Sequence, residues 1–264
     1  MSDFENNRTF MKNGFGYPER ELVSDQEKGL PQPPVEKVIG SGLKIIDLPP
    51  VDKNIIIQGD LFACINNRRS RRKFVNQALT LGELSFLLWA TQGVQKVVPA
   101  YNRTGIGTLR PVPSAGGRNA YETYLAVNNV TGLESGIYLY RPLEHKLAFY
   151  CEIEKLSDKL VAAYGGTEFL NEAKWLADTP VVFIWSCIPY RGEWRYHCES
   201  HRLMLLDAGH ICQNLYLACE GIGCGTCAIG AWEKDAFDKL LGLDGKDEFV
   251  VYLAGVGKTT IEPA

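Results

Sequence analysis

Apolar residues in this 264-residue chain fall into dense blocks separated by turn-forming clusters, and the blocks come in two kinds. Short runs rich in β-branched and aromatic side chains, bounded by glycine or proline, predict strands. They are Tyr121 to Val127, Gly136 to Tyr140, Lys146 to Tyr150, Pro180 to Cys187 and Glu248 to Val256, the second and third joined by a turn around Pro142. Pro180 to Cys187 is apolar almost without interruption, the pattern of a strand covered on both faces. The longer blocks predict helices. Thr80 is an N-cap with Glu83 three residues on, and Leu84, Leu87, Leu88 and Trp89 follow as one helix. Residues 55–67 predict another. The longest runs from about Ser200 to Glu220, with Asp207, His210 and Asn214 within about 60° of one another and the rest apolar. Such a helix is buried on most sides, so it is expected at the centre and at a subunit interface. His210 reads as a structural histidine bonded to Asp207 or a carbonyl.

Residues 1–53 differ in kind. Leu30-Pro31-Gln32-Pro33-Pro34 and Leu48-Pro49-Pro50 fix the backbone and disfavour helix, which predicts an extended arm draped over the body or a partner subunit. Residues 54–264 then form one domain. The start of the chain lacks a secretory pattern and no apolar run approaches the roughly 20 residues of a membrane span, so a cytoplasmic protein without membrane contact is expected. A net charge of −3 argues against general nucleic-acid binding. Eight cysteines scattered without an export signal read as free, mostly buried thiols.

Two motifs invite chemistry and are read conservatively. Gly221-Ile222-Gly223-Cys224-Gly225-Thr226 follows a helix and opens none, so it fails as a dinucleotide loop and reads as a helix C-cap leading into a short strand. Cys224 and Cys227 have CxxC spacing but no second pair, and His197-Cys198-Glu199-Ser200-His201 is the other metal-type cluster; no metal is expected. The strongest chemical signal is Arg68-Arg69-Ser70-Arg71-Arg72. Guanidinium groups bind phosphate through paired, charge-assisted hydrogen bonds and a hydroxyl adds a neutral donor, so one small phosphorylated ligand is expected. A solvated basic turn is the alternative.

Four segments together resemble the nitroreductase superfamily, and within it the SagB-type dehydrogenases that include the azoline oxidases. They are the arginine run through Phe74, Leu81 to Gly93, Pro113-Ser114-Ala115-Gly116-Gly117, and Leu206 to Leu215. The resemblance covers residues 55–258. It implies an α+β fold, a mainly antiparallel central sheet flanked by helices, in an intertwined homodimer with FMN at the interface. Arg68, Arg69, Ser70 and Arg72 would meet the phosphate and ribityl chain, with Lys258 nearby. Pro113, Ser114, Ala115, Gly116 and Asn119 would approach the flavin from the other subunit, and the backbone at Ile229, Gly230 and Ala231 would reach its N5. Arg195-Tyr196 stands where azoline oxidases carry a Lys-Tyr pair; arginine is a poor base, so Arg195 and Tyr196 are the catalytic candidates as groups that orient or polarise a substrate. The implied activity is FMN-dependent hydride transfer between NADH, NADPH or another donor and a small-molecule acceptor. The alternatives are azoline dehydrogenation with peptide-modification partners, and a flavin-holding scaffold subunit without turnover.

Overall fold

The computed structural model describes residues 3–12, 14, 23–99, 105–165 and 174–260. Strands among them are β1 (Ile45–Asp47), β2 (Lys96–Pro99), β3 (Ile106–Leu109), β4 (Tyr121–Val127), β5 (Gly136–Arg141), β6 (Lys146–Cys151), β7 (Val181–Cys187), β8 (Cys224–Ile229) and β9 (Phe249–Lys258). Helices are α1 (Asp3–Phe10), α2 (Leu61–Asn67), α3 (Leu81–Gln92), α4 (Leu156–Tyr164), α5 (Tyr190–Tyr196), α6 (Ser200–Gly221) and α7 (Ala236–Leu241). Seven strands form one sheet in the order β1-β6-β5-β4-β7-β9-β8, antiparallel throughout, and β2 and β3 form a separate antiparallel hairpin.

Side chains alternate across a strand, and here both faces are covered. Val181, Phe183 and Trp185 of β7 pack with α3 and α6, whereas Val182 and Ile184 pack with α4 and α7. That two-sided cover explains the uninterrupted apolar run in β7. The predicted capping box on α3 forms: Glu83 N–H donates to Thr80 Oγ1 at 3.2 Å and Thr80 N–H donates to Glu83 Oε2 at 2.9 Å. Asn214 Nδ2 donates to Ala90 O at 2.9 Å, tying α6 to α3. His145 lies between two hydroxyls, its Nε2 2.7 Å from Ser85 Oγ and its Nδ1 2.7 Å from Tyr140 Oη. Burial lowers the pKa of His145.

Two expectations need correction. Residues 55–67 do not form one helix, because Asp60 caps α2 by accepting from Ala63 N–H at 3.0 Å, so the helix starts at Leu61. The N-terminal arm contains an eight-residue helix, α1, and a strand, β1, which pairs with β6. Its proline-rich part is extended and held on the body: Trp194 Nε1 donates to Leu30 O at 3.0 Å, Arg191 Nε donates to Pro34 O at 2.8 Å, and the Gln32 side chain bonds both Ile106 N–H and C=O. Residues 101–104 of the loop before Pro113 lie outside the described residues. Among the described residues no helix is long and apolar enough to cross a membrane.

Candidate functional site

The arginine run begins where α2 ends, the Arg68 N–H closing the helix on Cys64 O at 3.1 Å. The chain then extends alongside β8: Ser70 bridges Thr226 in parallel and Arg71 N–H donates to Thr226 O at 2.9 Å. Extended backbone sends successive side chains to opposite faces. Arg68 stacks its guanidinium over the Tyr216 ring, 5.1 Å from the centroid, and Ser70 Oγ lies 2.9 Å from Tyr216 Oη. Arg71 points the other way, pairs with Glu220, and donates to Asn67 O at 3.2 Å. Gly225 lets it lie close, since a β-carbon there would stand 2.9 Å from Arg71 Cβ.

The five basic residues are therefore not equivalent. Arg69 donates only to the carbonyls of Asn66 and Arg68, and among the described residues Arg68, Arg69, Arg72 and Lys73 have no carboxylate partner. A cavity of about 820 Å³ is lined by Arg69, Ser70, Arg71, Arg72 and Lys73 together with Gly223, Thr259, Thr260 and the Arg71-paired Glu220. The donor set fits a phosphate monoester, as in FMN, because uncompensated guanidinium groups and a hydroxyl converge on open space. Lys258 differs: it is paired with Glu83 and largely covered. Gly230 and Ala231, just past the end of β8, are exposed, and Ile229 is buried.

A second group of predicted residues assembles at the other end of α6. Asp207 is buried and accepts from Ser114 Oγ at 2.6 Å and from Ala115 N–H at 3.0 Å. Burial raises the Asp207 pKa, against the pull of those two bonds. Ser114 Oγ also accepts from Asn119 N–H at 2.9 Å, and Asn119 Nδ2 donates to Thr108 Oγ1 and Gly117 O. Pro113 and Gly116 are exposed. Arg195 Nη1 donates to Gly116 O at 3.0 Å. Gly116 has φ +58°, and a β-carbon on it would lie 2.1 Å from Tyr196 Oη. Arg195 and Tyr196 thus grip the Ser114–Gly116 loop of their own chain. Beneath them, Arg191 and Glu122 form an ion pair with both side chains only 2% exposed.

The two groups do not meet within one chain. Asp207 anchors one and Tyr216 the other, nine residues apart, which on an α-helix is about 14 Å along the axis and half a revolution around it. The exposed face of α6 includes Leu205, Leu206 and His210. His210 is thus on the surface, and Asp207 turns to the Ser114 loop in its place.

Sequence reasoning missed Tyr216, counted as one more apolar position of α6, and the buried Arg191–Glu122 pair, whose residues lie far apart in the chain. It also left the CxxC open. Cys224 and Cys227 lie on one strand three residues apart, hence on opposite faces and about 10 Å from each other, too far for a mutual disulfide. Among the described residues no cysteine is in a disulfide. Burial pushes Cys224 up to about 12 and raises Cys227. Among the described residues no group of three His, Cys, Asp or Glu side chains could hold a metal.

With the geometry in place, comparison with known proteins is decisive on one point. The model of the nitroreductase family matches residues 65–258, which span both groups and six of the seven strands of the main sheet. The chain belongs to the nitroreductase family. It is 30% identical over 191 residues to nitroreductase MJ1384 of Methanocaldococcus jannaschii, covering 72% of this chain and 87% of that protein. It is also 30% identical over 143 residues to the trifolitoxin-processing protein TfxB of Rhizobium leguminosarum bv. trifolii, covering 53% of this chain and 37% of TfxB. A solved nitroreductase of Anabaena variabilis superposes with a TM-score of 0.64 at 25% identity, over 83% of this chain and 42% of that one. The family member described here thus spans less than half of TfxB and of the Anabaena chain.

Proposed function

We propose that this protein is an FMN-dependent oxidoreductase that passes hydride between NADH, NADPH or another donor and a small acceptor. The observation that carries the reading is the sorting of the arginine run. Arg71 is neutralised by Glu220, while Arg69 and Arg72 line a cavity without carboxylate partners among the described residues and Arg68, likewise without one, stacks on Tyr216. Arg68, Arg69, Ser70 and Arg72 would hold the FMN phosphate and ribityl chain, and the backbone at Ile229, Gly230 and Ala231 would face the ring. Bound flavin would supply the two-electron chemistry, and the protein would supply binding, orientation and exclusion of water.

The opposite placement of the two groups on α6 supports a homodimer. Association through the exposed Leu205–Leu206 stripe would set the Ser114–Gly116 loop of one copy against the arginine run of the other. In that arrangement Arg195 and Tyr196 fix the loop that faces substrate. Arg195 is engaged as a donor to Gly116 O, which suits positioning and not proton abstraction.

The similarity to TfxB favours a second reading, oxidation of an azoline ring in a peptide alongside peptide-modification partners, the activity of the SagB-type branch. One experiment tests the first reading. Purified protein should be yellow, carry FMN near one per chain, elute as a dimer, and lose its flavin colour on anaerobic addition of NADH or NADPH. A preparation that takes up no FMN refutes the reading. Bound FMN that neither nicotinamide reduces shifts the weight to the azoline reading or to a scaffold without turnover, which turnover of a thiazoline peptide would separate.

A further inference from the structure

We propose that Tyr216 is a positioning residue that fixes the direction in which Ser70 donates its proton, aiming it at an anion held by the arginine run. The inference rests on the reading of that run as a phosphate cradle, and it concerns a residue of α6 that the family resemblance did not single out.

The argument is one of proton direction. Tyr216 is 9% exposed, and its phenolic oxygen has two polar neighbours, Ala228 N and Ser70 Oγ, each at 2.9 Å. The Ala228 amide can only donate. The phenol carries one proton, and a buried hydroxyl that fails to donate it forfeits a hydrogen bond. Among the described residues Ser70 Oγ is the acceptor within reach, so Tyr216 donates to Ser70. Ser70 Oγ therefore receives a proton from that side and must send its own elsewhere.

What lies elsewhere favours an anion. The neighbouring Cys227 offers sulfur, a weak acceptor. The cavity that Ser70 lines carries Arg69, Arg71, Arg72 and Lys73, and its one carboxylate, Glu220, is already paired with Arg71. A phosphate oxygen would complete a chain running from Ala228 N–H through Tyr216 O–H and Ser70 O–H to the anion, each bond polarising the next. The chain starts at the backbone of β8, whose place in the sheet is fixed by its pairing with β9. Arg68 rests on the face of the same ring, so Tyr216 holds both an arginine and the serine of the cradle.

Tyr216→Phe removes the oxygen and keeps the ring under Arg68. The test compares FMN with riboflavin, which has the same ring system and no phosphate, by fluorescence titration of the apoprotein at fixed salt. Wild type should bind FMN more tightly than riboflavin. Tyr216→Phe should weaken FMN about fivefold to tenfold and change riboflavin less than twofold. Ser70→Ala should do the same, and the double variant should be no worse than Ser70→Ala alone, because both act through one donated proton. Equal weakening for both ligands would make Tyr216 a packing residue and overturn the proposal, as would losses that multiply in the double variant. Should Tyr216→Phe not fold, an unchanged FMN affinity in Ser70→Ala is refutation enough. A wild-type protein that binds the two ligands equally takes down the phosphate reading itself, a failure distinct from one confined to the variants.

Discussion

Arg71 is the position at which the structure separates a binding run from a merely basic one. Arg71→Ala removes the partner of Glu220, whose side chain is 13% exposed, and leaves a mostly buried carboxylate unpaired. A buried group stripped of its hydrogen-bonded partner costs roughly 1–3 kcal/mol, and at about 2–4 °C per kcal/mol for a chain of this size the apoprotein should melt about 2–12 °C lower. Its FMN affinity should change less than about threefold, because the side chain, although it lines the same cavity, is already neutralised by Glu220 and points away from Ser70 and Tyr216. Arg68→Ala and Arg72→Ala should show the reverse: each removes a charge-assisted contact and should weaken FMN about 10- to 150-fold, with a smaller effect on melting. Lysine at either place should restore only part of the loss, since it keeps the charge and gives up the planar fork. The assay is FMN titration by fluorescence at one salt concentration, since exposed charges are screened, with melting of each apoprotein alongside. Equal affinity losses at positions 68, 71 and 72 would refute the face assignment and return the run to a basic surface.

Gly116→Ala should lower the melting temperature, because its φ of +58° is unfavourable to a side chain by about 1–2 kcal/mol and the new methyl meets Tyr196; pairing it with Tyr196→Ala should recover only the steric part, as paired melts would show. Alkylation of the folded protein followed by mass spectrometry should label the exposed Cys198 first and leave Cys224 and Cys227 unmodified, since burial raises both thiols; rapid labelling of Cys227 would contradict the model of inert thiols. His145 has a folded pKa below its ordinary 6.5, so the unfolded chain binds the extra proton first and the stability tied to neutral His145 is present above about pH 6.5 and lost as pH falls below it. Melts at pH 7 and pH 5 should therefore show a larger acid loss in wild type than in His145→Gln, and equal losses would remove His145 as a contributor.

The five main strands and the two long helices were legible because each is a local pattern: an aromatic and β-branched run for β4, a nearly uninterrupted apolar run for β7, the Thr80–Glu83 box for α3, the apolar girth of α6. The nitroreductase resemblance was legible for a similar reason, as motifs in order. What escaped was whatever depends on side chains meeting across long separations. Nothing near Lys258 says that Glu83 will pair with it. Nothing near Gly116 says that Tyr196 will press on it from 80 positions away. The start of α2 was misplaced because the break Gln58-Gly59-Asp60, which ends in an effective cap, was read through between the apolar residues on either side. Tyr216 was hidden by its own amphipathic character: its ring belongs to the core pattern, and only the fold shows where its hydroxyl ends.

The strand order has a consequence for the route by which the cradle comes into being. Within the sheet β8 is an edge strand, paired with β9 alone, and β9 is inserted between β8 and β7 although it follows both in the chain. The arginine run in turn leans on β8 through Thr226. Residues 68–72 thus emerge early in synthesis but acquire their supporting surface only after Lys258 has been made and β9 has docked. Contacts this distant in sequence form late, because loop closure must precede any return from them. A nascent chain would present four arginines and the unpaired edge of β7 together until that moment, an interval in which polyanions, nucleic acid included, could hold it in a non-native state. FMN added during refolding would compete for those arginines, and so act on the pathway as well as on the finished protein.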